Sequence, residues 1–108
     1  MSDYFRDIDA ATTFDAARAA KADLVRGTTL FAGLNTFEPG QSQRLHAHAG
    51  ADKFYLLLSG KARMTVGDVT CDVSPGTLVW APAGVPHGVD AALERTVMLV
   101  AMAPPPGA

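Results

Sequence analysis

From residue 24 to residue 101 the chain is a succession of short β-prone runs, each stopped by glycine or proline. Residues 28–38 are rich in β-branched and aromatic side chains and end at Pro39-Gly40. Residues 54–59 form an apolar run closed by Gly60. Residues 62–66 alternate up to Gly67-Asp68, and 69–73 resume before Ser74-Pro75-Gly76. Residues 77–81 lead into Pro82-Ala83-Gly84, and 87–90 and 95–101 complete the series. β-branched and aromatic side chains suit a pleated, half-buried surface, whereas glycine and proline supply the backbone angles of reversals. Short strands at this spacing predict an all-β domain, an antiparallel sandwich or barrel.

At 108 residues the chain makes one domain, long enough for a core but not for two. Its 48% hydrophobic and 19% charged residues are those of a globular protein rather than a disordered one. The net charge is −2 and no basic run appears, which argues against nucleic acid as a partner. The longest apolar stretch, residues 97–103, is too short to span a bilayer. The charged N-terminus lacks a secretory apolar core, and the single cysteine, Cys71, cannot form an internal disulfide. Both predict a cytoplasmic protein, with Cys71 buried and inert in its alternating stretch.

The ends read differently from the middle. Thr12-Thr13-Phe14-Asp15 resembles a weak capping box, and the alanine-rich residues 16–22 favour helix on propensity, so 1–22 form a short helix or an extended arm. Residues 23–102 carry the β domain. The proline-rich tail, 103–108, cannot join a ladder and reads as a frayed end.

The chain has three histidines. His46 and His48 lie in a segment that reads as a strand, where residues i and i+2 project to one face. His87 follows the Pro82-Ala83-Gly84-Val85-Pro86 turn. Two same-face imidazoles and one from a distant strand suffice to hold a divalent transition metal with positions left open.

These residues resemble the small single-domain cupins, of the RmlC-like jelly-roll type. The first motif of that family runs G-x5-H-x-H-x3,4-E-x6-G, and here Gly40, His46, His48, Lys53 and Gly60 reproduce its spacing. The second runs G-x5-P-x-G-x2-H-x3-N, followed by Gly76, Pro82, Gly84, His87 and Ala91. The resemblance implies a cupin β-barrel or jelly roll of two antiparallel sheets. It also implies one divalent transition metal (Fe, Zn, Mn, Ni or Cu) held by the histidines. Family activities include dioxygenases, isomerases, decarboxylases and lyases.

Two positions depart from the pattern. Ala91 replaces an asparagine that supports the site in the family, and Lys53 replaces the glutamate. A protonated lysine has no lone pair and cannot ligate a metal. Three arrangements accommodate it. Three neutral histidines could bind metal with water completing the shell. Asp52 could supply the carboxylate through a local bulge. Alternatively, metal binding has been lost and the cavity holds an anion with Lys53.

Strand parity puts Lys53, Tyr55, Leu57 and Ser59 on one face and Phe54, Leu56 and Leu58 on the other. With the first set inward, Lys53 is a candidate general base or oxyanion stabiliser, and Tyr55 lines the cavity beside it. Arg44 shares the parity of His46 and His48. If the strand runs regularly there, Arg44 sits at the cavity mouth and favours a carboxylate or enolate substrate. The outer apolar stripe predicts a homodimer interface or a cover formed by the N-terminal arm. Trp80, Met64, Val66, Val97 and Leu99 are core candidates. The functional expectation is a metal-dependent enzyme for a small polar, anionic molecule, with a non-catalytic small-molecule-binding cupin as the alternative.

Overall fold

In the computed structural model, which describes residues 3–107, the strands begin and end close to the punctuation marks of the sequence. A short helix, α1 (Ile8–Ala11), precedes β1 (Ala20–Arg26), β2 (Phe31–Phe37), β3 (Gln43–His46) and β4 (Asp52–Ser59). There follow β5 (Ala62–Val66), β6 (Val69–Val73), β7 (Leu78–Ala81), β8 (His87–Ala92) and β9 (Thr96–Ala103). One sheet has the order β1-β2-β9-β4-β7 and the other β3-β8-β5-β6, with every pairing antiparallel. The fold is an all-β jelly roll.

Gly67 shows how local chemistry fixes register. Its φ of +61° lets a two-residue turn join β5 to β6, so Val66 pairs directly with Val69. The core lies between the sheets, where Phe37, Tyr55, Leu57, Met64, Val89 and Met98 are each at most 2% exposed. On β4 the alternation holds: Lys53, Tyr55 and Leu57 are buried, whereas Phe54 and Leu56 are half-buried on the outer face.

The N-terminal region departs from its propensity. The alanine-rich residues form no helix; Ala20–Arg26 instead pairs with β2, with a register shift between Asp23 and Val25. Cross-strand pairing outweighs the small per-residue preference of alanine for helix. Helix formation falls earlier, where the Asp7 side chain accepts from the Ala10 N–H. The extended stretch after it covers part of the outer face, because the Thr36 hydroxyl donates to the Thr13 carbonyl and Leu34 is buried beside it.

Cover stops short of β4 and β7. Trp80 is 52% exposed and Leu78 57%, so Trp80 belongs to the outer surface rather than the core; it pairs with outward-facing Phe54. Leu99 and Val66 are half-buried, while Met64 and Val97 are core residues. Cys71 is exposed, correcting the expectation of burial: β6 is a sheet edge, and only Val73 of its residues is buried. The tail is also better anchored than its composition suggests. Pro105 is buried, and the Pro106 carbonyl accepts a hydrogen bond from the Arg26 guanidinium.

Candidate metal centre and its cavity

β3 ends at His46 and β8 begins at His87, and the two are direct cross-strand partners. His48 lies two residues past the end of β3, outside the strand to which the sequence pattern assigns it. The three rings nevertheless converge. Centroid separations are 4.9 Å for His46–His48, 4.5 Å for His46–His87 and 5.4 Å for His48–His87. One ring nitrogen from each lies within 4.8 Å of the other two.

Backbone carbonyls set two of the ring orientations. His46 Nδ1 lies 2.8 Å from the Arg44 carbonyl, and His87 Nδ1 lies 3.0 Å from the Val85 carbonyl. A carbonyl can only accept, so each Nδ1 carries the proton and each Nε2 presents a lone pair. His87 Nε2 is buried and has no hydrogen-bond partner among the described residues. Desolvation by burial lowers the pKa of His48 and His87, and neighbouring positive charge pushes in the same direction, while the hydrogen bond to the Val85 carbonyl works the other way at His87. Three converging imidazoles, each able in its neutral form to offer a lone pair and one with an orphaned nitrogen, are a donor set that fits a divalent transition metal.

β3 does not run regularly. Gln43 pairs with Val89 and His46 with His87, so three steps on β3 match two on β8. This bulge puts Gln43 on the inside with His46 and leaves Arg44 exposed at the rim of the cavity. Inside, Gln43 Oε1 accepts from the Tyr55 hydroxyl at 2.7 Å. Tyr55 is fully buried, its ring 6.1 Å from that of His87, and burial raises its hydroxyl pKa above the ordinary value.

Lys53 is 7% exposed, and its Nζ sits 4.5 Å from the centre of the Tyr55 ring. Among the described residues it makes no ion pair. Burial, and secondarily the charge of Lys21, lowers its pKa to about 8. Asp52 is exposed on the opposite face of β4. Its Oδ1 accepts from the Ala83 N–H at 2.9 Å and stands outside the histidine group. The same turn is tied a second time, by the Gly84 N–H donating to the His48 carbonyl at 2.8 Å. The turn before His87 and the segment carrying His48 are thereby held together.

His46, His48 and Lys53 open onto a cavity of about 470 Å³. Its other charged lining residues are Lys21, Arg26, Arg44 and Asp23, so cations dominate a pocket in a chain of net charge −2. Lys21, Arg26 and Asn35 were not foreseen as lining residues. Lys21 and Arg26 lie on β1, whose composition disguises it, and Asn35 sits mid-strand without a motif to mark it.

The profile of the cupin domain matches residues 33–102. An uncharacterized protein of Streptomyces coelicolor is 34% identical over 95 residues, covering 84% of this chain and 90% of its own. The crystal structure of TT1209 from Thermus thermophilus superposes with a TM-score of 0.88 at 32% identity, over 94% of this chain and 98% of that one. An RmlC-like cupin from Desulfovibrio desulfuricans gives a TM-score of 0.79 at 28% identity, over 88% and 91% of the two chains. With this match across both histidine motifs and the strands between them, the chain belongs to the cupin family.

Proposed function

We propose that His46, His48 and His87 hold one divalent transition metal, and that the protein is a metal-dependent enzyme acting on a small, polar, anionic organic molecule. The convergence of three imidazole nitrogens carries this reading, with His87 Nε2 buried and unpartnered. A metal held by neutral ligands keeps its full positive charge and would supply Lewis acidity toward a carbonyl or enolate oxygen.

The chain's own residues do the rest. Lys53 has a pKa near 8 and no carboxylate partner, so its Nζ can hold a proton or release one close to neutral pH. As an ammonium it stabilises developing negative charge on the substrate; as an amine it accepts a proton from carbon or oxygen. The Tyr55 ring beneath it restricts where Nζ can go, and the Tyr55–Gln43 hydrogen bond fixes that ring. Lys21, Arg26 and Arg44 draw an anion into the cavity. Isomerase, decarboxylase and lyase chemistry all call for this stabilisation of charge, and dioxygenase chemistry would need iron or copper.

Metal analysis of protein purified without a histidine tag tests the reading, with about one equivalent of transition metal expected. Replacing His46 and His87 together should abolish that binding; unchanged metal content would overturn the assignment. A second reading, a non-catalytic binding cupin, is favoured by one observation: Asp52 is turned away, and among the described residues no carboxylate joins the histidines. Small acids that stabilise the protein without being converted would support it, and turnover in the same mixtures would refute it. The exposed face around Leu58, Leu78 and Trp80 supports a homodimer, which sedimentation would detect.

A further inference from the structure

Asn35 is 3% exposed, and its Nδ2 is buried without a hydrogen-bond partner. An amide donor left unpaired in a dry interior is costly, and native structures rarely keep one that nothing fills. The residue lines the cavity. Its register places it beside a cation: Asn35 pairs with Lys21 across β1 and β2, so the two side chains leave the same face of the sheet as neighbours. Lys53 projects from that face as well, because it pairs with Met102, and Met102 and Met98, the β9 partner of Asn35, lie four residues apart. Asp23, two residues from Lys21, is the only carboxylate of the lining and forms no ion pair with it among the described residues.

We propose that Asn35 and Lys21 form a carboxylate subsite on the wall of the five-stranded sheet, with Lys53 adding positive charge from the same face. The ligand is then a small organic acid. Its carboxylate accepts from Asn35 Nδ2 and faces the Lys21 ammonium, while a hydroxyl or oxo group further along points to the histidines. This deepens the proposed function and rests on it only for the end of the ligand that meets the histidines. The carboxylate end needs no metal.

The test uses metal-free full-length protein and a series of 2-hydroxy and 2-oxo acids of three to six carbons, each compared with its primary amide. Thermal shift and calorimetry should show binding of at least one acid, with its amide about tenfold weaker or worse, as loss of a charge-assisted hydrogen bond predicts. Lys21→Gln should weaken the acid about tenfold and leave the amide unchanged, whereas Asn35→Ala, which removes a donor that either carbonyl group can use, should weaken the acid about tenfold and the amide less. Lys21 is exposed, so its replacement keeps the test alive if Asn35→Ala fails to fold. Equal binding of acid and amide, or variants that bind the acid like the wild type, would overturn the subsite. His87→Ala separates the two readings. Metal uptake by the wild type without acid binding refutes the subsite alone. Acid binding retained in His87→Ala while metal uptake is lost supports both, and acid binding by a wild type that takes no metal supports the subsite and refutes the metal centre alone.

Discussion

His46 and His87 face each other across β3 and β8, and each ring donates its Nδ1 proton to the carbonyl two residues before it in sequence. The same local device is thus used on two strands, and it turns both Nε2 atoms toward a shared point. Nothing in a rotamer preference alone would select that arrangement. The backbone carbonyls do so, at no cost in extra side chains, and they play the orienting part that a carboxylate often takes behind a metal-bound imidazole.

Removing one of these rings should therefore cost more than one ligand's share of affinity. In His87→Ala, the buried wall of the site is lost together with its lone pair. Titration with Co(II), followed by its visible absorption, should show binding weakened by at least about 100-fold, beyond the roughly 10–100-fold typical of losing a group that only orients a ligand. Wild-type affinity in this variant would place the metal elsewhere.

Lys53 makes the opposite kind of prediction. In the folded protein its pKa is about 8, against an ordinary value of 10.5. Between those values the unfolded chain binds more protons, so this group makes stability rise with pH over that window, and the penalty is fully present below about pH 8. Lys53→Met removes a buried cation with few partners. At pH 7 the metal-free variant should be more stable by about 1–3 kcal/mol, a rise in Tm of several degrees for a domain this size. Its advantage should shrink as the pH is raised toward 10.5. Activity on an anionic substrate should fall in the same variant, since strain kept at a site is commonly retained for function. A variant less stable than the wild type at pH 7 would show that the ammonium is compensated in a way its surroundings do not reveal.

How much of this was legible in the sequence depended on whether a residue type marked the feature. Gly67-Asp68 marks a two-residue turn, and residues 62–66 and 69–73 form strands with the bounds their pattern indicates. The frame of glycines, Pro82 and histidines identifies the cupin fold and brings the three imidazoles into one place. β1 carries no such mark. Its alanines prefer helix, and only the presence of β2 makes it a strand, so the Lys21 side of the cavity was hidden. The bulge in β3 was hidden for a related reason. A period of two has no symbol for an extra residue, and parity therefore gives no sign that Gln43 lies inside with His46 while Arg44 stands exposed at the rim. Trp80 shows the limit of composition: an aromatic on a strand has two faces available, and this one lies outside.

Asp52 offers a direct check on the ligand set. Its carboxylate caps the Ala83 N–H from the far face of β4. Asp52→Ala should leave the amount of bound metal at the wild-type value while loosening the Pro82–Ala83–Gly84 turn, at about 1 kcal/mol of stability. Hydrogen exchange should rise at Gly84, whose N–H is held by the His48 carbonyl. Loss of the metal equivalent in this variant would instead make Asp52 a ligand.

The spacing of the two strands that carry His46 and His87 is set by a residue with no side chain. A Cβ placed on Gly88 would lie 2.8 Å from the Gln43 carbonyl oxygen, and 3.0 Å from both the Arg44 carbonyl oxygen and the Leu45 Cα. All three are backbone atoms of β3, so nothing flexible can move aside. Gly88→Ala must push β3 away from β8, and β3 carries His46, its carbonyl partner in Arg44, and the Gln43 that holds Tyr55. Overpacking of this kind costs about 1–3 kcal/mol. The metal site should suffer further, because the nitrogens of His46 and His87 would no longer fall within reach of one ion. We expect a folded protein with a lowered Tm, native-like far-UV circular dichroism, and metal affinity reduced at least about tenfold. Restored affinity at wild-type Tm would mean that β3 and β8 can separate without consequence, and that the spacing of the two strands does not set the geometry of the centre.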